Sequence, residues 1–359
     1  MKNVLCYIDE LGSGGAERQI TYLAVLLNKN GYKVRVFCYH PNYFYENVLI
    51  KNNIELIKIE LKKNNYINKI QNTWRVVSKY NFDTIIAYSE GPAIIASLIK
   101  LLKPSLNVII SERNTTQDLT FKDEVRFFLF RFVNSIVANS HSQTDFLRTN
   151  CPNLASKTYT ITNFIDIEKF HPSSNFVHNS IFRFIVVARH STQKNVPTFI
   201  EAIKLLKNSK PPFIVDWYGE DGGGNKQEHM NLVNEYGIGD RLIFHHSASN
   251  IEEYYRQADA FCLPSLYEGF PNALCEAMSS GLPVICSNVC DNPVLIDDNI
   301  NGFLFDPQKP EDIAEAIMKI ISMPQETRIK IGIANREKAE KIFSEKIFVT
   351  EYVKLIENK

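Results

Sequence analysis

The sequence contains no apolar run long enough to cross a membrane. Its longest apolar stretches fall well short of the roughly 20 residues that a membrane-spanning helix needs. The chain passes from Met1-Lys2-Asn3 straight into a strand-like apolar run, without the pattern of a secretory signal peptide. We therefore expect a cytoplasmic protein without a membrane span.

Cysteines are few, and their arrangement excludes two common uses. Seven occur among 359 residues, an odd number that disfavours a disulfide framework. Cys286 and Cys290 lie close in sequence but have no second Cys or His pair nearby to complete a zinc site. We interpret the thiols as core residues; they are Cys6, Cys38, Cys151, Cys262, Cys275, Cys286 and Cys290.

Net charge is also lacking, because 40 Lys and Arg balance 40 Asp and Glu. Residues 1–172 carry 21 basic and 15 acidic side chains, so the second half is acidic to the same extent. A mildly basic first half suits an anionic membrane surface or an anionic substrate, although chance explains such an imbalance nearly as well. We expect no nucleic-acid partner.

Short apolar runs alternate with amphipathic segments from the start of the chain. The run at 4–8 leads into a glycine-rich loop, a helix-like stretch ending at Asn30-Gly31, and a second strand at 33–39. Such βαβ units build parallel sheets covered by helices on both faces. Further strands of the first half are predicted at 84–89, 107–111 and 135–140.

The pattern breaks between residues 160 and 188 and then restarts. The polar, turn-prone stretch from His171 to Asn175 is the predicted linker. The fold class is therefore α/β, with two Rossmann-like doubly wound domains facing a central cleft, a favoured place for ligands. In the second half we predict strands at 182–189, 213–219, 241–246, 259–265 and 283–287, and helices at 196–209, 272–281 and 310–322.

The glycine-rich loop from Gly12 to Glu17 follows a strand and opens a helix. It departs from the G-x-G-x-x-G dinucleotide fingerprint, because Glu17 stands at the third glycine position and no acidic residue ends the second strand. A NAD site is thus disfavoured. Gly14 and Gly15 let the backbone approach a ligand beside a helix N-terminus, or they form a plain tight turn.

Arg189 and Lys194 follow the first strand of the second half. A guanidinium and an ammonium beyond the carboxyl end of a parallel strand suit a diphosphate. The alternative is two solvated surface cations.

Glu268 and Glu276 stand on either side of Gly269-Phe270-Pro271-Asn272. Gly269 and Pro271 place Glu268 on a loop, and they predict a helix that begins near Pro271 or Asn272 and ends at Ser280-Gly281. A glycosidase pair would flank a scissile bond and needs no phosphate cradle. A helix start between two carboxylates instead suits a sugar joined to a diphosphate.

These residues resemble the E-x7-E motif of retaining glycosyltransferases with the GT-B fold, in family 4. The similarity extends through "GGAERQ", "TNFIDIEKFHP", "ARHSTQKN", "WYGEDGG", "ADAFCLPSLYEGFPNALCEAMSSGLPVICS" and "NGFLFDP". "SERN", residues 111–114, resembles a signature of the subgroup that adds N-acetylhexosamines to undecaprenyl-diphosphate-linked glycans.

The resemblance implies a role for each matching residue. Glu276 would hold the ribose hydroxyls of a sugar nucleotide, Glu268 would contact the transferred sugar, and Glu112 would face the reacting centre from the N-terminal domain. Arg189 and Lys194 would neutralise the diphosphate. The remaining donor-binding residues implied are Gly14, Gly15, Phe244, His245, Gly269, Phe270, Pro271 and Asn272, with backbone groups near Phe244 and His245 expected to recognise uracil.

The implied domains are an acceptor-binding domain at 1–168, on which a C-terminal helix at 345–359 packs back, and a nucleotide-sugar domain at 169–344. No Asp-x-Asp motif ends a predicted strand of the first domain, so we expect metal-independent transfer without a cofactor. Two departures from the family pattern stand out. Cys290-Asp291-Asn292-Pro293-Val294 replaces a Gly-Gly-x-Pro-Glu loop, and Asn195 stands where glycine is frequent.

The implied reaction moves a hexose or N-acetylhexosamine from a UDP-sugar to a lipid-linked or polysaccharide acceptor, such as an O-antigen or capsule unit. Two alternatives are a sugar-nucleotide 2-epimerase and a non-catalytic partner in glycan assembly. The Phe-rich segment at 121–137 is either a peripheral contact with the cytoplasmic face of the membrane or an ordinary packed helix. The lysine-rich segment at 56–65 is a second candidate for membrane contact.

Overall fold

The computed structural model describes residues 2–59, 65–113, 119–173 and 181–358. The chain divides into two compact units. Unit 1 comprises Met1–Phe164 with Glu345–Lys359, and unit 2 comprises Ile165–Ser344. The division after Phe164 falls slightly before the predicted boundary at 168.

Unit 1 is built on a seven-stranded parallel sheet. Its strands are β1 (Asn3–Tyr7), β2 (Lys33–Cys38), β3 (Glu55–Lys58), β4 (Thr84–Tyr88), β5 (Asn107–Glu112), β6 (Ser135–Ala138) and β7 (Thr158–Thr160). Their order across the sheet is β3-β2-β1-β4-β5-β6-β7. The five strands predicted in this half are present, whereas the short edge strands β3 and β7 were not predicted.

The central strands of unit 1 are apolar because both faces of the sheet are covered. Val4 and Cys6 belong to the hydrophobic cluster on one face, and Leu5 and Tyr7 belong to the cluster on the other. The helices that precede unit 2 are α1 (Gly15–Lys29), α2 (Glu46–Lys51), α3 (Tyr66–Tyr80), α4 (Glu90–Leu102), α5 (Phe121–Leu129) and α6 (His141–Asn150).

Unit 2 is built on a six-stranded parallel sheet. Its strands are β8 (Phe182–Val187), β9 (Phe213–Tyr218), β10 (Leu242–His245), β11 (Ala260–Leu263), β12 (Val284–Ser287) and β13 (Gly302–Phe305). Their order is β10-β9-β8-β11-β12-β13, so the strand order reverses beside β8. In open sheets of this kind ligands bind outside the carboxyl ends of the strands at such a reversal.

The helices of unit 2 are α7 (Val196–Leu205), α8 (Lys226–Tyr236), α9 (Ile251–Gln257), α10 (Asn272–Ser279), α11 (Asn292–Leu295), α12 (Pro310–Ser322) and α13 (Gln325–Ile342). Helix α12 has the predicted bounds. Helix α10 ends at Ser279, and Gly281 then adopts φ +69°, the left-handed conformation expected of a glycine just after a helix.

The last helix, α14 (Glu345–Glu357), returns to unit 1 and contacts α1 and β5. The Tyr352 hydroxyl lies 2.8 Å from the Tyr88 hydroxyl of β4, and Asn107 Nδ2 donates to the Leu355 carbonyl at 3.0 Å. These bonds tie the end of the chain to the sheet of unit 1.

Three sequence expectations concern membranes and thiols. No helix in the described parts of the chain is both long and apolar enough to cross a bilayer. In the lysine-rich candidate segment, Leu56 to Lys58 form most of β3, while residues 60–64 lie outside the described residues. All seven cysteines are free thiols.

Candidate functional site

Three residues of unit 2 that the sequence predicts to bind a sugar nucleotide follow strands that lie side by side. Arg189 and Lys194 come after β8, and Glu268 comes after β11, which pairs with β8. Parallel strands end at the same edge of the sheet, so these residues lie at its carboxyl edge, where the strand order reverses.

Lys194 and Glu268 form a largely buried ion pair. Lys194 Nζ lies 2.5 Å from Glu268 Oε1, and the two side chains are 16% and 6% exposed. The Ser265 hydroxyl donates to the same carboxylate oxygen at 2.6 Å. The two contacts fix the Glu268 carboxylate toward the loop that carries Lys194.

Further hydrogen bonds join the two loops. The Leu266 N–H donates to the Gln193 carbonyl at 2.9 Å, and Gln193 Nε2 donates to the Tyr267 carbonyl at 2.9 Å. Lys194 and Glu268 are therefore held together by their neighbours as well as by their own charges. Neither Gln193 nor Ser265 was identified from the sequence.

Asn195, which stands where the family resemblance leads us to expect glycine, adopts a backbone conformation that glycine takes readily. Its φ is 55° and its ψ 38°, in the left-handed region that Asn tolerates better than most residues. Its side chain donates to the Pro307 carbonyl at 2.7 Å, a bond that glycine cannot make. The departure from glycine therefore preserves the turn after Lys194 and adds a tether to the loop after β13.

Glu276 lies in α10 and is buried, with 5% of its surface exposed. The Tyr255 hydroxyl contacts Glu276 Oε2 at 3.3 Å and the Ala273 carbonyl at 3.1 Å. Helix α10 begins at Asn272, as predicted, with Pro271 immediately before it. Tyr255 is thus a neighbour of the second glutamate that sequence spacing did not reveal.

The turn that precedes α10 uses some of its own polar groups. The Asn272 N–H donates to the Phe270 carbonyl at 2.9 Å, and the Phe270 ring is buried against Phe343. Gly269 and Asn272 are half-buried. The expectation that backbone N–H groups at 270–272 reach the sugar nucleotide stays a prediction. The Asn272 N–H already has a hydrogen-bond acceptor within the protein.

Cys290 stands where the family resemblance leads us to expect the first glycine of a loop. Its φ is +49°, so the residue holds a left-handed conformation that glycine adopts without cost. The Glu268 N–H donates to its Sγ at 3.4 Å. The substitution places a sulfur acceptor against the backbone of the first glutamate.

Three carboxylates share the neighbourhood of the Cys275 thiol. Burial raises the pKa of Cys275 well above its usual value, and Glu276, Asp291 and Glu268 each raise it further. Asp291 is only 2% exposed. The loop that lacks the acidic residue of the family pattern at Val294 therefore carries a buried carboxylate at Asp291.

Arg189 differs from Lys194 because its side chain is exposed. Within the described parts of the chain its guanidinium makes no hydrogen bond or ion pair. It is the more accessible of the two predicted phosphate-binding cations.

His190, between the two cations, is fully buried and was not identified from the sequence. Its Nδ1 lies 3.1 Å from Nδ1 of His229, and its ring contacts Phe244 at 4.7 Å between centroids. Burial, His229 and Lys226 lower the pKa of His190 to about 4. A neutral imidazole pair therefore supports the loop that carries Arg189 and Lys194.

Phe244 and His245 lie in β10, an edge strand of the sheet. The His245 carbonyl accepts from the Gly219 N–H at 3.3 Å and from Lys226 Nζ at 3.3 Å. Alternate residues of a parallel edge strand turn their backbone groups away from the sheet. Phe244 is on that outward side, so its backbone groups are the better placed of the two to recognise a base.

Gly14 and Gly15 belong to unit 1, where α1 begins at Gly15. Both are exposed. Burial raises the pKa of the nearby Glu17, and Glu10 and Asp9 raise it further. The carboxylates of Asp9, Glu10 and Glu17 therefore lie near the glycine loop, and the approach of this loop to a ligand stays a prediction.

Glu112, at the end of β5 in unit 1, is also buried. Its Oε2 lies 3.4 Å from Nη1 of Arg126 on α5, each side chain being 3% exposed, and has no hydrogen-bond partner in the described parts of the chain. Burial raises the pKa of Glu112, and Arg126 opposes that shift. A buried carboxylate of this kind, at the carboxyl end of a parallel strand, is a candidate for a functional role. Asn114 of the "SERN" segment lies outside the described residues.

Metals and cavities give less information about the site. The described residues contain no group of three His, Cys, Asp or Glu side chains that could hold a metal ion. A cavity of about 520 Å³ in unit 2 is lined by Phe182, Pro211, Asp259 and Pro283, among others. These residues begin or precede strands, so the cavity lies at the opposite edge of the sheet from Lys194 and Glu268.

Solved structures with the same fold establish its class. The Anabaena protein HepE, solved in complex with UDP, superposes with a TM-score of 0.88 at 17% sequence identity, covering 100% of each chain. Two Rossmann-like units with parallel sheets define the GT-B glycosyltransferase fold, and this chain has that fold.

Family models match both halves of the chain. The model described as "Glycosyltransferase Family 4" matches residues 13–169, and the one described as "Glycosyl transferases group 1" matches residues 166–338. The chain belongs to these glycosyltransferases, as the resemblance in sequence implied.

Two relatives whose names describe an activity match part or most of the chain in sequence. The Escherichia coli UDP-Gal:alpha-D-GlcNAc-diphosphoundecaprenol alpha-1,3-galactosyltransferase is 33% identical over 180 residues, 46% of this chain and 45% of that protein. This chain therefore spans about half the length of that relative. The Campylobacter jejuni N-acetylgalactosamine-N,N'-diacetylbacillosaminyl-diphospho-undecaprenol 4-alpha-N-acetylgalactosaminyltransferase is 24% identical over 304 residues, 80% of this chain and 81% of that protein.

Proposed function

We propose that this protein is a retaining glycosyltransferase. It moves a hexose or N-acetylhexosamine from a UDP-sugar to a hydroxyl of a lipid-linked or growing polysaccharide acceptor, such as an O-antigen or capsule unit. The observation that carries the proposal is the buried Lys194–Glu268 pair at the strand-order reversal of unit 2. A cation and a carboxylate fixed together at this edge suit a ligand in which phosphate charge adjoins sugar hydroxyls.

The donor is held through both its charged and its hydroxyl groups. Arg189, which is exposed, and Lys194 neutralise the diphosphate. Glu268 accepts from hydroxyls of the transferred sugar, and Glu276, supported by Tyr255, accepts from the ribose hydroxyls. The backbone beside Phe244 recognises the uracil.

The transfer occurs on one face of the anomeric carbon. The bond from that carbon to the β-phosphate oxygen breaks while a bond to the acceptor oxygen forms on the same face. The proton of the acceptor hydroxyl passes to the leaving phosphate oxygen. Because the new bond forms on the face that the phosphate leaves, the product keeps the α configuration. Lys194 and Arg189 stabilise the negative charge that grows on the phosphate, so the transfer needs no metal ion.

Unit 1 supplies the acceptor side of the reaction, with Glu112 as its candidate residue, while Gly14 and Gly15 line the donor site opposite the diphosphate. The burial of Glu112 and its contact with Arg126 support this assignment. The names of the two relatives, both of which act on diphosphoundecaprenol-linked sugars, support a lipid-linked acceptor. Peripheral contact with the cytoplasmic face of the membrane would bring the enzyme to such an acceptor.

A thermal-shift panel of UDP-, GDP- and ADP-sugars tests the donor assignment. We expect UDP-sugars to raise the melting temperature of the wild type, because a ligand that binds only the folded state stabilises it. Glu276→Ala should lose that shift and the transfer activity. Glu311→Ala, at an exposed position in the first turn of α12, is the matched control and should keep both.

Two results would contradict the proposal. One is the absence of stabilisation by any nucleotide sugar, and the other is unchanged binding and transfer in Glu276→Ala. Incubation of the wild type with UDP-N-acetylglucosamine and no acceptor separates the epimerase alternative, because an epimerase would release an isomer whereas a transferase would leave the donor intact or hydrolyse it slowly.

A further inference from the structure

Helix α5 of unit 1 carries an exposed apolar stripe. Phe121, Val125 and Phe128 are 79%, 48% and 54% exposed, and Phe132 in the following 3-10 turn is 40% exposed. Their spacing along the chain places them on one side of a helix. The stripe is therefore a continuous surface and not a set of scattered apolar residues.

The opposite side of the same segment is fully packed. Phe127 and Phe130 are buried in one hydrophobic cluster of unit 1, and their rings lie 5.8 Å apart. The interpretation of this Phe-rich segment as a packed helix therefore applies to its buried face, and the interpretation as a membrane contact concerns its exposed face. Phe127 and Phe130 anchor the helix in the core, while the stripe faces solvent.

The charges beside the stripe are mainly positive. Lys122 and Arg131 are exposed, and the Arg131 guanidinium lies 5.6 Å from the centre of the Phe128 ring. Lys157 Nζ donates to the Arg131 carbonyl at 2.6 Å, which places a third cation beside the turn. Glu124 is the exposed carboxylate of this helix.

We infer that the stripe of Phe121, Val125, Phe128 and Phe132 docks unit 1 on an anionic lipid surface. Aromatic and aliphatic side chains that enter the headgroup region, flanked by Lys and Arg, are the pattern of an interfacial helix. Four side chains are far fewer than the roughly 20 to 30 residues a side of a stable protein interface, so a lipid surface fits this stripe better than a second copy of the chain.

The docking helix also adjoins the candidate acceptor site. Arg126, on the buried side of α5, contacts Glu112 at 3.4 Å. A lipid surface bound to α5 would therefore lie one helix away from the carboxylate proposed to face the acceptor. This biological role rests on the proposed function, whereas the docking itself does not.

Vesicle flotation tests the docking directly. We expect the wild type to float with vesicles of phosphatidylglycerol and phosphatidylethanolamine, less with phosphatidylcholine alone, and less as salt rises. The double variant Phe121→Ser/Phe128→Ser should lose at least tenfold in its partition coefficient. The control Phe44→Ser/Ile300→Ser removes two apolar side chains of similar exposure, 65% and 70%, and should bind as the wild type does.

Several outcomes would overturn the inference. One is failure of the wild type to bind anionic vesicles. Another is vesicle binding by the stripe variant that equals that of the wild type. A third is a loss of vesicle binding in the control variant that equals the loss in the stripe variant. Sedimentation velocity in the absence of lipid adds another: self-association of the wild type that the stripe variant abolishes, without vesicle binding, would assign the stripe to a protein interface. Equal melting temperatures would show that both variants are folded.

The test of lipid docking can be distinguished from the test of the proposed function. The stripe variant should keep the thermal shift with UDP-sugars and transfer to a water-soluble acceptor, and lose transfer only to an acceptor embedded in vesicles. Loss of vesicle binding with donor binding intact supports the docking surface. Absence of donor binding in the wild type would instead count against the proposed function and leave the flotation result valid.

Discussion

Lys194 Nζ lies 2.5 Å from Glu268 Oε1, although the two residues are 74 positions apart in the chain. The contact exists because β8 and β11 are neighbours, so the loops that follow them meet at one edge of the unit 2 sheet. It joins a predicted phosphate-binding cation to a predicted sugar-binding carboxylate.

Replacement of Lys194 by Ala should affect both stability and activity. Glu268 would keep only Ser265 as the partner of its carboxylate oxygen Oε1, and removal of one member of a buried ion pair costs about 3 kcal/mol. Urea unfolding should show that loss, and kcat/KM for a UDP-sugar should fall at least 100-fold. The control Lys309→Ala removes an exposed pair with Asp306 and should change neither by much.

A double variant checks that the two side chains act on each other. Lys194→Ala/Glu268→Ala should be destabilised by less than the sum of the single variants, because each single variant leaves a buried charge without its partner and the double variant leaves none. Strict additivity would contradict the interpretation of the contact as a coupled ion pair.

Replacement of Tyr255 by Phe should weaken donor binding selectively. The change removes the hydroxyl that contacts Glu276 and the Ala273 carbonyl, so the carboxylate proposed to bind the ribose loses a support while the ring stays packed. We expect the dissociation constant for UDP to rise severalfold and the free energy of unfolding to fall by about 1 kcal/mol. Calorimetric titration with UDP measures the first effect.

Tyr236→Phe is the matched control for that prediction. Its hydroxyl donates to Glu201 at 2.6 Å on a different part of unit 2. Equal weakening of UDP binding by both variants would show that Tyr255 has no specific role.

The buried His190 should make stability depend on pH. Its pKa is about 4 in the folded protein and about 6.5 when unfolded, so the unfolded state binds more protons between those values. Stability conferred by the neutral ring is therefore present at pH 7 and declines as the pH falls toward 4. Between pH 7 and pH 5 the loss should be on the order of 2 kcal/mol.

Urea unfolding at several pH values tests this expectation. His190→Gln removes the titrating ring and should flatten the dependence, while His171→Gln, at an exposed position, should leave it unchanged. A wild type equally stable at pH 7 and pH 5 would contradict the prediction.

Much of this fold could be predicted from local pattern. Apolar runs marked the central strands because these strands are buried on both faces, and Gly281 marked the end of α10 because it adopts positive φ there. Strands β3 and β7 were not predicted because they are short and lie at the edges of the sheet, where the apolar signal is weak.

Position in the sequence, by itself, determined which residues are candidates: Arg189 and Lys194 after one strand, and Glu268 and Glu276 around a helix start. Only the tertiary structure decided their partners. Lys194 and Cys290 contact Glu268 because the strand order places β8 and β12 on either side of β11, and spacing along the sequence does not reveal that order. The sequence thus identifies the candidate side chains, and the order of the strands in the sheet determines which of them are in contact.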